Sequence, residues 1–246
     1  MKLPKVILTG LLLLGVNLAH ASVQIMATRI IFDEKEKEQV IRVNNMGNTP
    51  SLTQVWLESD NDSDGQKQVE KEDLTFVFSP PVARINVGKG KTFRVFKTDT
   101  TKEKFPSDRE TMLWLNVLDI PPESDSKLKN KLNFAIRTKI KFFYRPTDLK
   151  STPEYAAEQV IWSARKVGNK IYVKGSNDNP YHVSMAKLSL VNANENIELS
   201  GGIIKPYSSA EFVFNALKSN ADNFKLNYTY ITDLGAFVQK EVVIQT

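Results

Sequence analysis

The side chains able to do chemistry are few. Beyond residue 21 the chain has one histidine, His182, and it has no cysteine anywhere. Zinc sites draw on several Cys, His or carboxylate ligands, and nucleophilic hydrolysis draws on a Ser–His or Cys–His pair. One imidazole leaves little basis for either. Gly88-Lys89-Gly90-Lys91-Thr92 superficially has the look of a phosphate-binding loop. That pattern needs a glycine where Ile85 stands and a helix afterwards, whereas Phe93-Arg94-Val95-Phe96 alternates like a strand. The stretch therefore reads as a hairpin turn between strands. No spacing singles out a pair of carboxylates. The inventory argues against an enzyme, with no cofactor and no metal expected.

What stands out instead is charge in unusual company. Arg29 interrupts the otherwise apolar Ile25–Phe32 stretch. In Lys129–Pro146, Leu132, Phe134 and Ile136 alternate with Asn133, Ala135 and Arg137, the period-two pattern of a strand with one apolar face. The same stretch continues into Lys139, Lys141 and Arg145, interleaved with Ile140, Phe142, Phe143 and Tyr144, until Pro146 stops it. Apolar at one end and cationic at the other, it reads either as a core strand with a charged rim or as an edge strand offered to another chain. Exposed apolar edges aggregate, and proteins usually suppress them.

The elements that must position these residues are nearly all strands. Met1–Ala21 has lysines at 2 and 5, an apolar Val6–Leu18 segment and an Ala19-His20-Ala21 ending, the pattern of a cleavable export signal. Without it the 33 basic residues become 31 against 28 acidic ones, a net charge of +3. Mild basicity with no clustering on one face gives no nucleic-acid footprint. A cysteine-free exported chain of this length must rely on core burial, in one large or two modest domains. Val23–Phe32, Gln39–Asn44, Leu52–Glu58, Phe76–Ser79, Ala83–Val87, Thr92–Lys97, Met112–Ile120 and Leu132–Tyr144 read as strands of a Greek-key sandwich. Pro146–Pro153 is a polar break. Val160–Ala164, Lys170–Gly175, His182–Val191, Glu211–Phe214, Lys225–Ile231 and Ala236–Gln245 then form a second, smaller sandwich.

Phe105-Pro106-Ser107-Asp108-Arg109-Glu110-Thr111, followed by Leu113-Trp114-Leu115-Asn116-Val117-Leu118-Asp119-Ile120-Pro121-Pro122, resembles the signature of the periplasmic pilus chaperones of the chaperone–usher pathway. Thr28-Arg29 with Phe32-Asp33, and Thr138–Pro146, are similar too. Asn179-Pro180-Tyr181, Pro206-Tyr207-Ser208 and Tyr230–Gly235 match more loosely. The short Glu123–Lys131 connection and the absence of cysteine resemble the family's short-loop branch.

That resemblance implies an all-β protein of two immunoglobulin-like β-sandwich domains set at an angle with a cleft between them. Residues 1–21 would be the signal peptide, 22–147 the first domain with a donor strand at about 130–145, and 152–246 the second. It implies a periplasmic location and a role in binding fimbrial (pilin) subunits by donor-strand complementation, with delivery to an outer-membrane usher. Leu132, Phe134 and Ile136 match the family's donor residues. Arg29 and Lys141 match the cations that bind the subunit's C-terminal carboxylate, although composition alone makes them ordinary surface charges. Strict alternation sets Lys141 on the face opposite Leu132 and Ile136, which requires a twist, a bulge or a strand exposed on both faces. Glu110, Arg145 and Asp233 match an interdomain charge network; otherwise they are three unconnected surface charges. Self-association of the free protein is a further expectation.

The competing reading is an exported β-sandwich adhesin or carbohydrate-binding module. It needs exposed aromatic platforms, whereas Trp56, Trp114 and Trp162 sit in apolar-patterned strands, as core residues do.

Overall fold

The computed structural model describes residues 23–60, 75–123, 134–192, 195–215 and 223–245. Its first half is a sandwich of two sheets. One has the order β1 (Val23–Ile25), β3 (Glu38–Asn45), β7 (Gly90–Lys97), β5 (Phe76–Ser79). The other runs β2 (Arg29–Asp33), β9 (Ile136–Arg145), β8 (Thr111–Ile120), β4 (Ser51–Ser59), β6 (Val82–Ile85). Alternating residues of both sheets meet in a core that includes Ile30, Phe32, Ile41, Val43, Phe93, Val95, Leu113, Leu115, Val117, Phe142 and Tyr144. Phe76 packs edge-on against Phe32 and Phe142, with ring centroids 5.3 and 5.1 Å apart, and so locks β2 and β9 to the facing sheet.

The second half repeats the architecture. A sheet of β10 (Ile161–Val167), β11 (Lys170–Asn177) and β15 (Ser208–Asn215) faces one of β13 (Asn196–Ser200), β12 (Val183–Val191), β16 (Asn223–Ile231) and β17 (Phe237–Gln245). The two-residue β14 (Ile203–Ile204) pairs with β12. Its core gathers Ile171, Val173, Leu188, Leu190, Phe214, Leu226 and Ile244.

Three expectations change. Val23–Phe32 is two strands rather than one: β1 pairs with β3 in one sheet and β2 with β9 in the other, so the chain changes sheet at residues 26–28. Gly88, at φ +66°, does make a turn. That turn joins β6 and β7, which lie in different sheets, so it is not a hairpin. Between the sandwiches the polar break ends in a short helix, α2 (Pro153–Glu158), after the single turn α1 (Thr101–Lys104) of the first half. The Tyr155 amide donates to the Thr152 side chain, and Pro153 occupies the first helical position. Thr-Pro-Glu is a helix-start signal legible in the sequence. The helix puts Ala156 and Ala157 into the second core.

Candidate functional site

The site is built on the β2–β9 pair, which is parallel, with Arg29 directly opposite Lys141 and Asp33 opposite Arg145. Even-numbered residues of β9 (Ile140, Phe142, Tyr144) turn into the first core. Odd-numbered Lys141, Phe143 and Arg145 turn to the other face, where the second sandwich lies. Phe143 is buried yet belongs to neither core; its ring sits 5.5 Å from that of His182. The pairing of β9 with β8 runs unbroken from Tyr144 to Ile136. No bulge is therefore needed to bring Lys141 to the cleft: the strand is used on both faces.

Lys141 and Arg29 each reach across to the second half. The Lys141 ammonium donates to Ser184 Oγ at 3.0 Å, and Arg29 Nη1 donates to the Ile231 carbonyl at 3.2 Å. Among the described residues neither cation has a carboxylate partner of its own, and Arg29 Nε is buried with no hydrogen bond. Burial, with the neighbouring Arg29 charge adding to it, pulls the Lys141 pKa down to about 8. Burial also lowers that of Arg29, partly offset by Asp233 and Glu110. Two half-buried like charges side by side are electrostatically unfavourable, and an anion seated between them relieves both. The cleft beside them is lined by Arg29, Glu110, Phe143, His182, Ser184 and Asp233.

Glu110, Arg145 and Asp233 come together. Arg145 donates from Nε and Nη2 to Glu110 Oε1 (3.1 and 2.8 Å), and from Nη1 and Nη2 to Asp233 Oδ2 and Oδ1 (2.7 and 3.1 Å). Burial works against the Arg145 charge, but bonds to Asp233 and the two nearby carboxylates outweigh it and raise the pKa. Glu110, 3% exposed, also accepts from the His182 amide and lies 3.0 Å from His182 Nδ1, while its own amide donates to the Pro180 carbonyl. His182 is thus a fourth member, and the sequence reading did not assign it. The signal was present: the chain's one histidine after residue 21 follows Asn179-Pro180-Tyr181.

At the other end of β9 the picture reverses. Residues 136–140 have β8 on one side and, among the described residues, no strand on the other, because β2 begins at Arg29 opposite Lys141. Ile136 is 50% and Phe134 70% exposed. Leu132, the remaining donor candidate, lies outside the described residues.

Trp56 and Trp114 are not core residues. They lie on the outer face of the first sandwich, under Arg137 (5.2 Å) and Lys139 (5.6 Å), and Glu58 pairs with both cations. Trp162 does pack against the second core. The alternation pattern could not separate the two faces of a sheet whose outer face is also half covered.

Residues 22–150 match the family described as pili and flagellar-assembly chaperone, PapD N-terminal domain, and residues 155–242 match pili assembly chaperone PapD, C-terminal domain. The chain belongs to the pilus-assembly chaperone family. Among its relatives is the probable fimbrial chaperone YadV of Escherichia coli K12, 33% identical over 89% of this chain and 88% of that protein. The chaperone protein FimC of the same strain is 33% identical over 90% and 84%. The crystal structure of the YadV chaperone superposes with a TM-score of 0.76 at 30% identity, covering 91% of this chain and all of that one. The SafB chaperone, solved with the Salmonella enterica SafA pilin, gives a TM-score of 0.70 at 25% identity, covering 90% and 96%. The all-β, two-domain fold of this chaperone is that of its relatives.

Proposed function

We propose that this chaperone binds pilin subunits in the periplasm by lending them the open-edged first half of β9 and the residues leading into it, and hands them to an outer-membrane usher. Residues 1–21 serve as the export signal, 22–147 as the donor-bearing domain and 152–246 as the second domain. The SafA–SafB pair is a pilin bound to its chaperone, and that relative supports the same kind of partner here. No catalytic step enters this reading.

The observation that carries it is the half-open edge of β9 terminating at two cations. A strand added beside residues 136–140 occupies the line that β2 continues, so the end of it nearest β2 meets Arg29 and Lys141. Added parallel to β9, that end is its C-terminus, and the carboxylate meets two positive charges. Added antiparallel, an ammonium meets them instead. Electrostatics therefore selects the parallel direction, and the terminal carboxylate sets the register. Charge-assisted bonds of this kind contribute about 1.5–3 kcal/mol. Phe134 and Ile136, on the core-facing side of the strand, are then free to fill the subunit's own incomplete core, each burial worth roughly 1.5–3 kcal/mol before ordering costs.

The test is periplasmic co-expression with the pilin subunits encoded beside this chain. Wild type recovers a soluble subunit; Arg29→Ala and Lys141→Ala, folded by circular dichroism, lose it. Equal recovery by both variants removes the carboxylate anchor. If wild type recovers no subunit, the strand-lending reading falls, and binding to a glycan resin becomes the measurement of interest.

A further inference from the structure

Both anchor cations belong to the first domain, yet each is held by an atom of the second. The backbone carbonyl of Ile231 on Arg29 is a contact any sequence offers. The hydroxyl of Ser184 on Lys141 is not: it is a specific side chain, on β12, 3% exposed and lining the same cleft as Arg29. A serine hydroxyl carries one donor proton beside its acceptor lone pairs. Lys141 Nζ has only protons to give, so in the 3.0 Å contact Ser184 Oγ is the acceptor. Its own O–H is left over, and among the described residues that proton has no acceptor.

We infer that Ser184 completes the carboxylate anchor from the second domain, orienting the Lys141 ammonium as acceptor and donating its own O–H to the bound subunit's terminal carboxylate. This rests on the anchor reading above. Geometry and chemistry agree on it. A carboxylate has about four lone-pair directions, more than one guanidinium and one ammonium need satisfy. Arg29, whose Nε–H has no partner, and Ser184 both line the cleft, and the Lys141 ammonium sits 3.0 Å from the Ser184 hydroxyl. An uncharged donor adds a bond without adding to the repulsion between the two cations, which a third cation would increase. It also gives the second domain a role in binding beyond bulk: the anchor is assembled only when Ser184 and Lys141 are brought together by the interdomain network around Arg145.

The experiment uses the full mature chain and a synthetic peptide of the C-terminal strand of the neighbouring pilin subunit, made as free acid and as C-terminal amide. Affinities are measured by calorimetry for wild type, Ser184→Ala and Ser184→Thr. Wild type prefers the acid. Ser184→Ala weakens acid binding about tenfold, the size of a lost hydrogen bond to a charged group, and leaves amide binding unchanged. Ser184→Thr, which keeps the hydroxyl, restores the preference. If Ser184→Ala keeps the wild-type acid-to-amide ratio, or loses acid and amide binding equally, Ser184 does not serve the carboxylate and the inference is overturned. If wild type itself binds acid and amide alike, the anchor reading fails, and Ser184's role fails with it.

Discussion

Replacing Lys141 by methionine should make the free chaperone more stable while removing its hold on a subunit. The ammonium is half-buried beside Arg29, and its pKa falls from the ordinary 10.5 to about 8. A folded-state value below the unfolded one means that the unfolded chain binds the proton more tightly. The charge therefore works against folding at every pH below about 8, and the penalty is relieved as pH rises from about 8 to 10.5. At about 1.4 kcal/mol per pKa unit the ceiling is roughly 3 kcal/mol, and partial solvent screening of the side chain reduces it to about 1–2 kcal/mol. Methionine fills nearly the same volume without the charge. Urea unfolding of wild type and Lys141→Met at pH 7 and pH 10 measures the difference directly. The variant should exceed wild type by about 1–2 kcal/mol at pH 7, with most of the gap gone by pH 10. A variant less stable than wild type at pH 7, or a gap that does not narrow with pH, refutes the reasoning. Lys141 would then be a structural cation, stabilised by Ser184, rather than a charge held ready for a ligand.

Glu110→Ala leaves Arg145 and His182 short of a buried partner and should cost about 3–5 kcal/mol by urea unfolding; Asp233→Ala, at a more exposed position, should cost less. Phe134→Asp and Ile136→Asp touch exposed side chains, so stability should stay within about 0.5 kcal/mol while subunit recovery is lost. Gly235 has φ +81°, and a Cβ there would lie 2.7 Å from Thr28 Oγ1 across the cleft. Gly235→Ala should therefore destabilise by more than about 1 kcal/mol, read from the unfolding midpoint.

The sequence made the strand chemistry legible because period-two alternation survives in β3, β11 and the first half of β4, where one face is core. It failed where an element serves both faces or changes sheet. Arg29 looked like a charge inside one long strand; it is the first residue of β2, where the chain has just crossed between sheets at residues 26–28. For Lys141, alternation left a twist, a bulge or a strand exposed on both faces open, and the unbroken register against β8 decides for two-faced use of β9. Its odd and even residues belong to different surfaces. The charged network was legible only through the resemblance: Glu110, Arg145 and Asp233 are separated by 35 and 88 residues, and nothing in local pattern joins them. His182 stood out in the sequence as the chain's one histidine after residue 21, but its contact, like that of Ser184, was not legible. Their partners lie in the other sandwich, at the closest approach of two domains, and neither periodicity nor spacing encodes that contact.

The central claim is that a subunit strand adds to the open edge of β9 and ends at Arg29 and Lys141. Hydrogen exchange of the backbone amides between Ile136 and Ile140, followed in the free chaperone and in its complex with a pilin subunit, tests it most directly. The amides that face away from β8 should exchange fast in the free protein and become strongly protected in the complex, with little change in β12 or β16. Unchanged exchange along residues 136–140 in a complex that nonetheless forms would contradict the account.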